Sequence, residues 1–140
     1  MLQWMQNNMK LGCDKMYLSS AAKYGNIEVV KWLVSLGIEL NDNIFYHAGK
    51  SGNIKLLQWL KNKGCPWSRS TPYGAAIEGN LETLIWLKDN GCPFQDEMAD
   101  DLYIELEEEN RYIQPGVRFV DSDLYKKVAP VFDWLLKNFQ

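Results

Sequence analysis

Residues 45–66 read FYHAGKSGNIKLLQWLKNKGCP. The same design returns at residues 72–93 as PYGAAIEGNLETLIWLKDNGCP and, one period earlier, at residues 18–39 as LSSAAKYGNIEVVKWLVSLGIE. Trp32, Trp59 and Trp86 thus stand 27 positions apart, each preceded by Gly-Asn (Gly25-Asn26, Gly52-Asn53, Gly79-Asn80) and followed five residues later by Gly37, Gly64 or Gly91. A fixed period of this length marks a stacked array whose units are too small to bury their own apolar faces and must cover one another. A binding scaffold is therefore the first expectation, ahead of any catalytic reading.

Two helices fit each unit. In the second, Ile27, Val30, Leu33 and Val34 recur at helical spacing, as do Ile54, Leu57, Leu60 and Leu81, Leu84, Leu87. Asn26, Asn53 and Asn80 stand where a side-chain oxygen caps the first free N–H groups of that helix. Gly37, Gly64 and Gly91 close it, and Pro66 and Pro93 two residues on prevent its continuation. The first helix centres on a small pair, Ala21-Ala22, Ala48-Gly49 or Ala75-Ala76, which lets neighbouring backbones approach closely. Thr71-Pro72 predicts a start for the third copy, with Thr71 as cap and Pro72 in the first turn. The Trp series predicts a ladder of rings packing across unit boundaries, in preference to exposed platforms for stacking bases.

The pattern Ala-Ala-x-x-Gly-Asn-Leu/Ile-Glu-x-x-x-Trp-Leu, ending in Gly-Cys-Pro-Trp/Phe at Gly64 to Trp67 and Gly91 to Phe94, resembles ankyrin repeats of the short variety common in giant viruses of amoebae and some protists. The resemblance implies an all-α, ankyrin-like helix-pair solenoid of about three full units. A common ankyrin repeat has about 33 residues, with a β-turn finger; a 27-residue unit implies short connections at residues 38–43 and 65–70. Leucine-rich repeats share the period but need a strand motif found in no unit, and tetratricopeptide repeats are longer, with their Trp, Gly and Tyr placed differently.

The ends depart from the rule. Residues 1–13 read as the back half of a preceding unit, residues 14–95 as three units, and residues 96–140 as a degenerate unit with an insertion, because Trp134 follows Trp86 by 48 positions. The insertion is expected to hold an acidic helix near Asp96 to Glu109 and a Pro115-Gly116 turn that allows a small hairpin. Asp121-Ser122-Asp123 caps the next helix, and Pro130 opens the last one. Either the acidic segment or residues 124–128 could be the first helix of this unit. The region reads either as a polar cap or as a secondary partner contact through Tyr112, Arg118 and Phe119.

Composition narrows the function. The 140 residues are 46% apolar and 13% aromatic, enough for one folded domain. No apolar run of about 18 residues occurs, and MLQWMQNNMK lacks the regions of a signal peptide. The expected setting is cytoplasmic, the host cytoplasm if the protein is viral, which the three cysteines at repeat positions, Cys13, Cys65 and Cys92, also fit. Residues 1–95 carry ten Lys/Arg against seven Asp/Glu, whereas residues 96–140 carry five against eleven, so no nucleic-acid partner is expected.

No catalytic constellation appears, and the chain is read as not an enzyme. His47 is the only histidine, which removes most triads and multi-His metal sites; beside Ala48 it reads as a packing residue. Cys65 and Cys92 owe their spacing to the repeat, so no metal and no cofactor is expected. The Glu105, Glu107, Glu108 and Glu109 run reads as solvated surface. By the resemblance, a protein or peptide partner docks on the concave side formed by the first helices. Position by position this points to Lys23 and Tyr24, Lys50 and Ser51, Ile77 and Glu78, with Asn43, Ser68 and Arg69 extending the face from the loops. The alternative is a structural subunit of a larger assembly such as a virion, suggested by the apolar Met1, Leu2, Trp4 and Met5 at the start. The oligomeric state is a monomer or a component of that assembly.

Overall fold

The computed structural model describes residues 14–139, and among them each period of the sequence becomes two antiparallel helices. Helices α1 (Asp14–Lys23) and α2 (Ile27–Ser35) form the first pair, α3 (Asp42–Ser51) and α4 (Ile54–Asn62) the second, α5 (Ser70–Ile77) and α6 (Leu81–Asp89) the third. Helix α7 (Met98–Ile113), a 3-10 turn at Phe119–Asp121 and α8 (Asp123–Asn138) come after them, and the described residues contain no strand. The expected half-unit at residues 1–13 lies outside the described residues.

The Gly-Asn dipeptide performs two tasks at once. Gly25 and Gly79 take φ of 68° and 73°. The N–H of Gly25 bonds to Ala22 and that of Asn26 to Ala21, and Gly79 and Asn80 repeat this with Ala76 and Ala75, which satisfies the last carbonyls of α1 and α5. The asparagine then opens the next helix: Asn26 Oδ1 accepts from the Val29 N–H at 3.3 Å and Asn53 Oδ1 from Leu56 at 3.2 Å. The same side chains bind unit to unit. Asn53 Nδ2 donates to the Gly25 carbonyl at 2.8 Å, and Asn80 Nδ2 to the Lys50 carbonyl at 3.1 Å. Asn80 departs from the expectation: it makes no capping bond to α6, and its amide is spent on the unit behind it.

Helices α1, α3 and α5 form an inner row, packed side by side, with α7 completing it on α5; α2, α4, α6 and α8 lie behind their own partners. The inner row is the tighter of the two. Small residues allow the approach. Ala22, Ala48, Ala75 and Ala76 are wholly buried, and a Cβ on Gly74 would stand 2.7 Å from the Tyr46 carbonyl. Leu33, Leu56, Leu57, Leu60, Leu84 and Leu87 from the outer row meet Phe45 and Ile44 in one continuous core.

Two local expectations give way to tertiary structure. Thr71 is buried in the first turn of α5 and is no cap; its Oγ1 accepts from the Ser68 N–H at 3.3 Å while Ser68 Oγ accepts from Ser70. Pro72 does occupy that first turn. The Trp ladder also takes another form. Among the described residues Trp32, Trp59 and Trp86 do not meet one another; Trp86 instead meets Trp67 edge-on at 6.5 Å, Trp67 leans on Phe45 at 5.2 Å, and Phe94 repeats the arrangement with Trp134 at 5.9 Å. The aromatic after Gly-Cys-Pro thus reaches the Trp of the next unit.

In the last unit the acidic helix α7 packs on α5 and is the inner member. Helix α8 runs without a break through Lys127-Val128, the place 48 residues after Gly79-Asn80 where a junction would fall. Pro130 therefore lies inside α8 and does not open it; Ser122 does, accepting from the Tyr125 N–H at 3.1 Å. The hairpin does not form either. Pro115-Gly116 makes a turn closed by Val117 N–H on the Gln114 carbonyl, with Gly116 at φ 86°, but Tyr112 and Ile113 end α7 and Phe119 begins the 3-10 turn.

Candidate partner-binding face

The period places side chains in rows along the inner helices. One row holds Lys23, Lys50 and Ile77, the next Tyr24, Ser51 and Glu78, and a turn earlier come Ser19, Tyr46 and Tyr73 beside Ser20, His47 and Gly74. These rows surround the C-terminal ends of α1, α3 and α5, where the buried alanines fix the backbone spacing.

Lys23 and Tyr24 are exposed, Tyr24 to 80%. Lys50 is half-buried, its Nζ 5.8 Å from the Tyr46 ring centroid and 3.8 Å from Glu78. Lys127 of α8 reaches the other oxygen of Glu78 at 3.5 Å. Ile77 packs partly into the core. Ser51 is committed elsewhere: its hydroxyl donates to the Ala48 carbonyl at 2.6 Å and accepts from the Asn53 N–H at 3.1 Å. Arg69 is exposed but lies at the opposite end of α5 from Glu78, about 12 Å along an eight-residue helix. Asn43 likewise lies in the first turn of α3, its amide on Ser19 Oγ at 3.5 Å, and Ser68, in the loop before α5, accepts the Ser70 N–H.

The period alone did not single out Tyr46, Tyr73, Glu105 and Lys127, which complete the face. Tyr46 and Tyr73 were readable as 27-residue mates. Glu105 was visible only as one acid in a run, yet it accepts the Tyr73 hydroxyl, and burial together with this bond pushes the Tyr73 hydroxyl pKa upward. Burial, then Glu105 and Glu78, raise that of Tyr46. His47 has a buried Nδ1 with no hydrogen-bond partner, and burial, then Lys50 and Lys23, lower its pKa. The face thus favours neutral tyrosines and a neutral histidine between fixed charges.

The second group divides. Tyr112 is 88% exposed and Arg118 is exposed and paired with Asp121 at 2.8 Å, whereas Phe119 is 4% exposed, its ring 5.1 Å from Tyr103 and 5.3 Å from Tyr125. Phe119 is therefore a core residue, closed to a partner; the apolar surface it needs lies between α7 and α8. Cys65 and Cys92 are buried free thiols whose pKa burial pushes up to about 12, so they stay protonated and unreactive near neutrality. Among the described residues no three His, Cys, Asp or Glu side chains stand together as metal ligands, and no helix is long and apolar enough to cross a membrane.

A family model described as ankyrin repeats, three copies, matches residues 9–98. No curated protein and no solved structure matches the chain. With more than half its length matched, and with residues 14–89 folded as stacked helix pairs, the chain belongs to the ankyrin-repeat family.

Proposed function

We propose that the chain is a non-enzymatic interaction module that takes a protein or peptide on its inner face, through Lys23, Tyr24, Lys50, Ile77 and Glu78 together with Tyr46 and Lys127. Ankyrin repeats generally mediate protein–protein interaction. The observation that carries the site is the contrast within one row of helices: the alanine-lined sides lock the backbones together, and the remaining side is left to exposed or half-buried charged and tyrosine side chains on a fixed frame. Such preorganised side chains bind with little ordering cost. Nucleic acid is disfavoured by the acidic α7 that borders the face. By the resemblance of its short unit, the protein is of the type found in giant viruses and some protists and acts in the cytoplasm, the host's if viral.

The test is affinity capture from the native cell with the wild-type chain and with Lys23→Glu/Lys50→Glu. Partners lost from the double variant but kept by Lys55→Glu/Lys63→Glu, on α4 and at its C-cap, support the inner face; equal recovery from both moves the site elsewhere. A second reading, a subunit of a larger assembly, is favoured by Met16 and Tyr17, 71% and 56% exposed on α1. Light scattering at high concentration separates the two, a concentration-independent monomer speaking against it.

A further inference from the structure

We infer that the inner face recognises a carboxylate-rich segment of its partner, and that Glu78 occupies part of that site as a built-in substitute. The inference rests on the proposed inner-face reading and adds the chemistry of what binds there. Its starting point is where Glu78 stands. It is the residue on which α5 ends, and the negative end of a helix dipole disfavours a carboxylate there. Two cations offset this: Lys50 at 3.8 Å from one oxygen and Lys127 at 3.5 Å from the other. The helix ends alone explain lysines at Lys23 and Lys50, both in last turns. They do not explain Lys127, which comes from the fifth residue of α8 and from the one unit that breaks the period.

The charge balance of this corner is unfilled. Two ammonium groups flank the Glu78 carboxylate, Lys23 stands one unit from Lys50 in the same row, and each ammonium carries three donors. Lys23 has no ion pair or side-chain hydrogen bond among the described residues and is open to solvent. The contacts of Glu78 are long for charge-assisted bonds, so neither partner lysine is saturated. Tyr46 supplies an aromatic wall under Lys50, and the half-buried His47 ring beside it feels the charge of both Lys50 and Lys23. A segment with two or more Asp or Glu side chains would bridge Lys23 to Lys50 and compete with Glu78 for Lys127. A basic segment would meet three like charges here.

The experiment is an amide NMR titration of the 15N-labelled full chain with two synthetic ten-residue peptides, one alternating Glu and Leu, the other Lys and Leu. With the acidic peptide, the resonances of Lys23, residues 46–50, Glu78 and Lys127 shift, and binding weakens at least about five-fold between 50 and 500 mM salt, as screening requires. Glu78→Gln keeps the shape, releases both lysines and tightens binding of the acidic peptide several-fold; Lys50→Glu/Lys127→Glu abolishes it while leaving the remaining amide spectrum in place. If Glu78→Gln weakens binding or leaves it unchanged, the substitute role is wrong. Should the Lys/Leu peptide shift the inner face, the carboxylate chemistry fails while the inner-face reading survives. Shifts confined to α4 or α6, or none with either peptide, overturn the carboxylate site outright; the capture experiment then decides the inner face separately.

Discussion

Gly74 stands where α5 closely approaches α3, and two opposed effects decide what a methyl group would do there. Helix propensity favours alanine by up to about 1 kcal/mol, and Gly74 needs no left-handed backbone. Its Cβ, however, would meet the Tyr46 carbonyl at 2.7 Å and the Tyr46 ring at 3.0 Å, and backbone cannot yield as a side chain can. Overpacking costs about 1–3 kcal/mol, so Gly74→Ala is expected to destabilise, read as a lower urea midpoint with an unchanged slope. An unchanged or raised midpoint would mean that α3 and α5 tolerate separation. His47 gives the second residue-scale prediction. Its folded pKa lies below the ordinary value of 6.5, lowered by burial first and then by Lys50 and Lys23. The unfolded chain therefore takes up the proton before the folded one. The stability this contributes is present above pH 6.5 and is lost as the pH falls below it. Melting curves from pH 7.5 to 5.5 should fall more steeply for the wild type than for His47→Gln, and parallel curves would remove the effect.

Pro130 poses the corresponding question for a whole element. It is exposed on α8, eighth of sixteen residues, and can offer no N–H to the carbonyl four positions back. Pro130→Ala is expected to stabilise by about 1–3 kcal/mol, measured by thermal unfolding; a loss would show that the ring itself packs usefully. By the local rule a proline here marks a helix start. Packing of Val128, Val131, Phe132 and Leu135 overrides that rule by drawing residues on both sides into one helix. The central pairs were readable for the opposite reason. Gly-Asn and Gly-Cys-Pro carry their own hydrogen-bonding instructions, repeated every 27 residues, so local chemistry and period agree. Thr71 and Asn80 depart from their local reading because their polar atoms serve neighbours, Ser68 in the preceding loop and Lys50 in the unit behind. Of the candidate binding face, Lys23, Tyr24, Lys50, Ile77 and Glu78 were legible from the period, and Tyr46 and Tyr73 only as their neighbours one turn earlier. Lys127 and Glu105 were not, since they come from elements that follow no period.

At the scale of the molecule, the open question is whether the last unit closes the stack or offers a contact of its own. Its helices are sixteen residues each, against eight to ten in the units before, and Leu102, Leu106, Phe119, Val128, Val131 and Leu135 are buried within it and against α5 and α6. The connection between α7 and α8 is tied down from inside: Asn110, 2% exposed, donates its amide to the Val117 carbonyl at 2.9 Å. Stability in a stacked array is close to a sum over nearest neighbours, so an end unit held this firmly supports all those behind it. Deleting residues 114–118 removes the turn, leaves Asn110 without its acceptor and pulls Phe119 from between Tyr103 and Tyr125. One buried unpaired polar group costs about 1–3 kcal/mol and loss of a buried aromatic about 3–5. Each kcal/mol moves the melting temperature of a chain this size by roughly 3–5 °C. Scanning calorimetry should therefore show a fall of at least about 10 °C, with binding of the captured partner retained below the new transition. An unchanged melting temperature together with lost binding would instead make Tyr112 and Arg118 the contact and the turn expendable to the fold.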